Sequence, residues 1–429
     1  MIFIQSNAQE FDAQFQELLG RGKMDIATVS NIVGGIIDEI KTKKNEALFE
    51  HIAKFDNWQP QCDEDLQIST ASMEKAYENL ESDLKDALHL AYDRIKIYHE
   101  KQKPKSWFDT EANGTILGQK VTPVDSAGLY IPGGKAAYPS SLLMNVIPAQ
   151  VAGVENIVVC TPTPDNEPNE LLLAACHLCG VTQVYKVGGA SAIAAMAYGT
   201  QNIPKVDVIT GPGNIFVATA KKMVFGDVHI DMIAGPSEIG ILADDSANAS
   251  HMAIDLLSQA EHDEMASSIL ITPSQKLADA VKVEIENWLQ KLPREAIARK
   301  SIEDRGAIIV TESMDEAIAL MNEIAPEHLE VATQSPFELL PYIKHAGAIF
   351  LGHNTPEAIG DYVAGPNHTL PTGGTAKFYS PLSVENFMKK SSIISFSQAA
   401  INEIGSECAL IANTEGLTAH EQSVRVRLN

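Results

Sequence analysis

The sequence predicts an α/β protein built from two units with largely parallel sheets. Three observations carry that prediction. Short apolar runs alternate with helix-length stretches from Ala127 onward, the alternation starts afresh after Gly235, and glycines cluster where a run hands over to a helix, as at Gly211-Pro212-Gly213-Asn214. Alternation of this kind is what crossover connections between parallel strands require, because parallel neighbours cannot be joined by a tight turn.

Taken in order, the segments 27–55 and 72–101 are charged and helix-rich, and are expected to pack against the sheets. The first series then reads as a strand at 128–131, a helix ending near Val151, a strand at 156–161, a helix at 169–180, a strand at 182–187, a helix at 191–198, a strand at 206–210 and a helix at 215–224. The second series gives a strand at 239–243, a helix at 247–261, a strand at 268–272, a helix at 275–292, a strand at 307–310, a helix at 314–324 and strands at 329–332 and 348–351. After Ser380 the pattern is helical through 384–390 and from Glu403 to the end. That tail is too short for a core of its own, so it is expected to dock on another surface, such as a second subunit.

Composition narrows the function classes. The 429 residues carry 32 basic and 56 acidic side chains, a net charge of −24, which repels phosphate backbones and anionic lipid and disfavours nucleic acid as a partner. No apolar run reaches the roughly 18–20 residues of a membrane helix, and the segment 1–10 has no basic flank and apolar stretch of a signal peptide. A cytoplasmic protein is expected. Five scattered cysteines do not form a disulfide framework, and Cys176-His177-Leu178-Cys179, with no second such pair, reads as part of an amphipathic helix ended by Gly180.

Several motifs carry chemistry. Gly211-Pro212-Gly213-Asn214 between a strand and a helix offers backbone N–H groups to a phosphate, although Phe216 stands where a full dinucleotide fingerprint has glycine. Ile131-Pro132-Gly133-Gly134-Lys135 fails the P-loop pattern at Ala136. Gln259 and His262 lie three apart on one face at a helix end, Asp361 follows Gly360 in a loop, and His420 lies in the tail; oxygen and imidazole ligands without thiolate suit zinc or manganese. Their spacing is equally that of a solvated helix end. Glu327-His328 is an adjacent acid/base pair, and His368 follows Gly365-Pro366-Asn367 in a polar loop.

As strings, these stretches are specific. Tyr130-Ile131-Pro132-Gly133-Gly134, Gly211-Pro212-Gly213-Asn214, Ala234-Gly235-Pro236-Ser237-Glu238, Ser258-Gln259-Ala260-Glu261-His262, Ala325-Pro326-Glu327-His328-Leu329, Gly360-Asp361 with Gly365-Pro366-Asn367-His368, and Glu415-Gly416-Leu417 with His420 resemble histidinol dehydrogenase in the same order, over nearly the whole chain.

The resemblance implies a zinc-dependent, NAD-linked enzyme that oxidises L-histidinol through the aldehyde to L-histidine, with one hydride passed to each of two NAD molecules. It implies one zinc per subunit held by Gln259, His262, Asp361 and His420, the last from the partner subunit of a homodimer with shared active sites. Ser237, Glu415 and His368 would complete the substrate pocket, in which the metal ligands and His328 also meet the substrate. His328 would take the hydroxyl proton and Glu327 would activate water for the second oxidation, so no nucleophilic cysteine is needed. Tyr130, Ser191 and Asn214 match NAD-contacting positions. Ser191 stands where the family commonly has glutamine, which predicts weaker NAD binding than in relatives with the longer side chain.

The resemblance also implies two incomplete Rossmann-like domains with mostly parallel sheets. The expected division is a helical segment at 1–24, a first domain at 25–129 and 236–381, a second at 130–235, and a tail at 382–429 that embraces the partner. Two other readings compete: a zinc hydrolase using the same ligands, and a metabolite-binding protein that keeps the fold without turnover.

Overall fold

The structure is a computed structural model, and it describes residues 1–20, 26–133 and 138–429. The chain opens with strand β1 (Ile2–Gln5) and helix α1 (Phe11–Gly20), followed by α2 (Ser30–Lys43), α3 (Asn45–Phe55), α4 (Thr70–Glu78) and α5 (Ser82–Glu100). β2 (Trp107–Thr110) and β3 (Ile116–Pro123) come next.

The first α/β series is β4 (Ser126–Tyr130), α6 (Pro139–Ala152), β5 (Asn156–Thr161), α7 (Glu170–Leu178), β6 (Gln183–Lys186), α8 (Gly189–Tyr198), β7 (Val208–Thr210), α9 (Ile215–Val224) and β8 (His229–Ile230). Its five strands pair in parallel in the order β6-β5-β4-β7-β8. Helices cover both faces, which is why β4 and β7 are buried almost without polar alternation.

The second series is β9 (Glu238–Ala243), α10 (Ala249–Ala260), β10 (Ser267–Thr272), α11 (Gln275–Leu289), α12 (Glu295–Arg305), β11 (Ala307–Val310), α13 (Met314–Ile324), β12 (His328–Ala332), the short α14 (Pro336–Leu339), β13 (Ala348–Leu351) and the single turn α15 (Glu357–Ile359). These strands and β1 form a second parallel sheet in the order β1-β11-β10-β9-β12-β13. Asn248 caps α10 by accepting from the N–H groups of Ser250 and His251, and the helix delivers Gln259 at its far end.

The chain closes with β14 (Met388–Ser395), α16 (Gln398–Thr414) and α17 (Thr418–Arg425). β14 joins β3 and β2 in a small antiparallel sheet. Among the described residues no helix is long and apolar enough to cross a membrane.

The alternation read from the sequence is therefore present in both series, and three details differ. Residues 2–5 form an edge strand on β11, so the 1–24 segment is not wholly helical. Its apolar Ile-Phe-Ile was too short to separate from a helix start. Residues 388–390, the end of the stretch 384–390 expected to be helical, instead open strand β14, because β3 offers a full antiparallel partner. The helices between 30 and 100, expected with the second sheet, cover the first: α2 and α3 share a core with α8 and α9, while α4 and α5 pack with α7 and α6. Cys176 and Cys179 are buried in and just after α7, and burial drives both thiols far above their ordinary pKa, which makes them inert packing groups.

Candidate active site

The candidate residues lie at strand ends of both parallel sheets. Tyr130, Gly188-Gly189 and Gly211 lie past or at the carboxyl ends of β4, β6 and β7, the edge where open parallel sheets receive nucleotides. The second sheet contributes the opposite edge: Glu238 is the first residue of β9, and His328 the first of β12, paired with Ile239.

Glu327 and His328 are 7% and 4% exposed. The Glu238 N–H donates to Glu327 Oε2 at 2.9 Å. His328 Nδ1 lies 3.1 Å from the Glu238 carbonyl oxygen, which can only accept, so Nδ1 carries a proton. The Gln259 amide nitrogen, 3.3 Å from the same Nδ1, cannot bond to it as a second donor. That leaves Nε2 as the working nitrogen. It faces Asp361 Oδ1 at 3.4 Å without hydrogen-bond geometry and has no partner.

Carboxylates crowd this imidazole. Glu357 Oε1 and Glu327 Oε2 lie 3.6 and 3.7 Å from Nδ1. Burial opposes charge on His328, but Glu357, Glu327 and Asp361 outweigh it and hold the ring well above its ordinary pKa. Burial pushes Glu327 up to about 7, and Glu238 and Glu357 up to about 8. Asp361 goes the other way: burial is outweighed by the His328 ring beside it, with smaller help from His368 and His262, and its carboxyl is held below the ordinary range. Behind the pair, burial and Asp255 raise Glu330 well above the carboxylate range, and Glu330 Oε1 accepts the Glu357 N–H at 2.7 Å.

The residues expected to hold a metal are partly assembled. Gln259 is fully buried with Oε1 unpartnered, an orphaned acceptor beside unpartnered His328 Nε2 and Glu357 Oε2. His262 follows α10 with one edge open to solvent, while the surrounding chain still desolvates the ring and lowers its pKa, the form a metal needs. Among the described residues, His328, Glu357 and Asp361 are the group whose donor atoms lie within 4.8 Å of one another. Orphaned oxygens, neutral imidazole and excess negative charge fit a divalent cation. His368 lies beside the cluster, its Nδ1 2.9 Å from the Asp361 carbonyl oxygen and Nε2 3.2 Å from the Ser141 hydroxyl. Ser237 precedes Glu238 and is half-buried. Glu415 and His420 are exposed on the α16–α17 hairpin, and among the described residues none of the site side chains hydrogen-bonds to either.

The chain matches the family described as histidinol dehydrogenase over residues 19–428. It is 83% identical over 428 residues to the histidinol dehydrogenase of Sulfurimonas denitrificans, with 100% of both chains covered. The chain belongs to the histidinol dehydrogenase family. The enzyme of Wolinella succinogenes is 68% identical, covering 99% of this chain and 98% of its own. A crystal structure of histidinol dehydrogenase from Elizabethkingia anophelis superposes with a TM-score of 0.94 at 35% identity, covering 100% of this chain and 98% of that one. The chain is thus an oxidoreductase of histidine biosynthesis that oxidises histidinol, in a family whose electron acceptor is NAD, and the hydrolase and binding-protein readings fall away.

At the carboxyl edge of the five-stranded sheet, Tyr130 is buried and its hydroxyl accepts the Gly189 N–H at 3.2 Å. Gly211 has φ +118°, and a Cβ there would lie 2.0 Å from the Tyr130 carbonyl oxygen, so only glycine fits. Asn214 Oδ1 caps α9 through the Phe216 and Val217 N–H groups, leaving its amide nitrogen for a ligand. Ser191 is 4% exposed, with its hydroxyl 2.9 Å from His51 Nδ1. The loop string at 134–137 lies outside the described residues.

Sequence reading missed Glu238, Glu330 and Glu357. A signal existed for one: Glu330 interrupts an apolar, wholly buried strand, where an unpaired carboxylate is costly.

Proposed function

We propose that this site oxidises L-histidinol to L-histidine in two hydride transfers without releasing the aldehyde. The observation that carries the reading is the buried Glu327–His328 pair, whose imidazole is anchored at Nδ1 by the Glu238 carbonyl and presents an unpartnered Nε2 beside Asp361. In the first half, His328 Nε2 accepts the hydroxyl proton as hydride leaves the same carbon for nicotinamide. In the second, Glu327 removes a proton from water as its oxygen adds to the aldehyde. The resulting hydrate loses a second hydride to a second NAD and its two O–H protons, through the site's basic groups, to solvent, and becomes the carboxylate. Carboxyls raised by burial suit such proton traffic near neutral pH.

Gln259, His262 and Asp361, with His420 of a second copy, are the proposed zinc ligands, one ion per subunit. When bound, zinc would supply orientation of the substrate's amine and imidazole, and its positive charge beside His328 would oppose the pull of Glu357, Glu327 and Asp361 that favours the protonated ring. Ser237, His368 and Glu415 of the second copy line the substrate pocket, and Tyr130, Ser191 and Asn214 meet NAD. The division is into two α/β units, one on each parallel sheet, with the cofactor on the five-stranded one. A homodimer is supported by large apolar side chains left exposed on the tail, at Leu410, Ile411 and Val426, and on the small sheet, at Phe108 and Ile394. Such an enzyme works in the cytoplasm.

The test is NADH formed per L-histidinol consumed, with zinc and after chelation. Two with zinc and almost none without supports the reading. One, with free aldehyde, removes the Glu327 half.

A further inference from the structure

Arg94 lies on α5, among the helices that cover the five-stranded sheet, and its guanidinium reaches the chain that follows β13. Nε–H donates to the Val363 carbonyl at 2.6 Å and Nη2–H to the Ala364 carbonyl at 3.3 Å. Those carbonyls end Gly360–Ala364, a single π-helical turn that carries Asp361. The last carbonyls of any helical turn lack partners in the chain and carry partial negative charge, so a cationic donor there satisfies both needs.

The next residue lies against the same helix. Gly365 has φ +117°, and a Cβ on it would come 2.8 Å from the Arg94 carbonyl oxygen and 3.2 Å from Tyr98 Cβ. At its other end the turn faces the site: Asp361 Oδ1 stands 3.4 Å from His328 Nε2, and the Asp361 carbonyl oxygen lies 2.9 Å from His368 Nδ1. One short turn thus meets the catalytic pair on one side and is fastened to α5 on the other.

We propose that Arg94 is a positioning residue for the zinc ligand Asp361, holding its turn so that the carboxylate converges with Gln259 and His262. This rests on the zinc reading above. Arginine suits the task because its planar fork reaches two carbonyls at once, whereas lysine offers a single point charge. A π-helical turn has few internal restraints, and a displacement of about 1 Å is enough to spoil a metal site.

The experiment measures zinc affinity of the full-length enzyme by chelator competition, and NAD affinity by fluorescence titration, for wild type, Arg94→Met, Arg94→Lys and Gly365→Ala. Arg94 is exposed, so the Met variant should melt close to wild type. The expected result is zinc binding weakened about tenfold or more in Arg94→Met, the scale on which outer partners of metal ligands act, and less in Arg94→Lys. NAD affinity should stay within about twofold, because the nucleotide edge is untouched. Gly365→Ala, which lifts the turn off α5 while keeping the guanidinium, should weaken zinc in the same direction. It keeps the question decidable if Arg94→Met does not fold. Wild-type zinc affinity in Arg94→Met, or in Gly365→Ala if that alone folds, overturns the role of Arg94 and leaves the zinc reading standing. A wild type that takes up no zinc overturns both.

Discussion

The Ser191 hydroxyl and His51 Nδ1 are 2.9 Å apart, and His51 Nε2 is 2.8 Å from Glu39 Oε2. The Glu39 carboxylate accepts from Nε2–H, and Nδ1 pairs with the Ser191 hydroxyl, so the serine is tied to His51. A glutamine at 191 would need the volume that His51 fills. Ser191→Gln alone should therefore destabilise the fold by about 1–3 kcal/mol, the usual cost of overpacking. Paired with His51→Ala it should recover stability and bind NAD more tightly than wild type. Denaturant melts and NAD titration decide it: a single variant as stable as wild type sinks the packing argument, and a stable double variant without tighter NAD sinks the expectation of a lost contact.

Lys221 and Asp231 form a fully buried ion pair that holds both amide groups of Gly211: the Gly211 N–H donates to Asp231 Oδ2 and its carbonyl accepts from Lys221 Nζ, each at 2.9 Å. Lys221→Met strands a carboxylate in the core and should cost about 3–5 kcal/mol. Lys221→Met with Asp231→Asn should restore much of that, as urea midpoints will show, yet leave NAD weaker because the turn has lost one of its two ties. Equal midpoints for the single and double variants would contradict the charge argument.

Stability should depend on pH in a direction set by the raised carboxyls. Glu238 and Glu327 have folded pKa values of about 8 and about 7, above their ordinary 4.5. The folded state thus binds these protons more tightly than the unfolded one, so the stabilisation is present below pH 4.5 and is lost as pH rises towards 8. Chelator-treated enzyme should melt lower at pH 8.5 than at pH 5.5, and Glu238→Gln should flatten that slope. Melting temperatures that rise with pH across this window would refute it.

Glu327→Gln should slow the second oxidation by about 10²–10⁴-fold and leave the first nearly intact, since only the second needs water activated. Rapid-quench analysis should show histidinaldehyde accumulating. Equal slowing of both steps would move Glu327 into the first half.

A shared site predicts complementation. His262→Ala and His420→Ala should each be inactive alone, while refolded mixtures regain activity, because a mixed dimer holds one site built from intact halves. Mixtures as dead as the parents would place His420 elsewhere.

Both βα series were legible because their strands are buried on both faces and their helices are long enough to show a period. Glu327-His328 and Gln259 could be named from their strings, and the fold places them in contact around His328. Glu357 was not legible: it lies in a single helical turn, and its approach to His328 depends on the register of β12 against β13. The placement of β14 was hidden as well, because a short mixed polar segment acquires its strand identity from its partner β3. Glu415 and His420 were named from their string as well, and both lie exposed on the tail hairpin.

Strand β1 pairs with β11, a partner synthesised roughly three hundred residues later. A chain emerging from the ribosome can close the five-stranded sheet and its covering helices well before the six-stranded one has all its strands. Until Ala307–Val310 arrive, the amino terminus waits unpaired, with Ile2, Phe3 and Ile4 available to other strands. Residues 2–5 thus stay open to pairing with other strands through most of synthesis, a cost carried by an edge far from the chemistry.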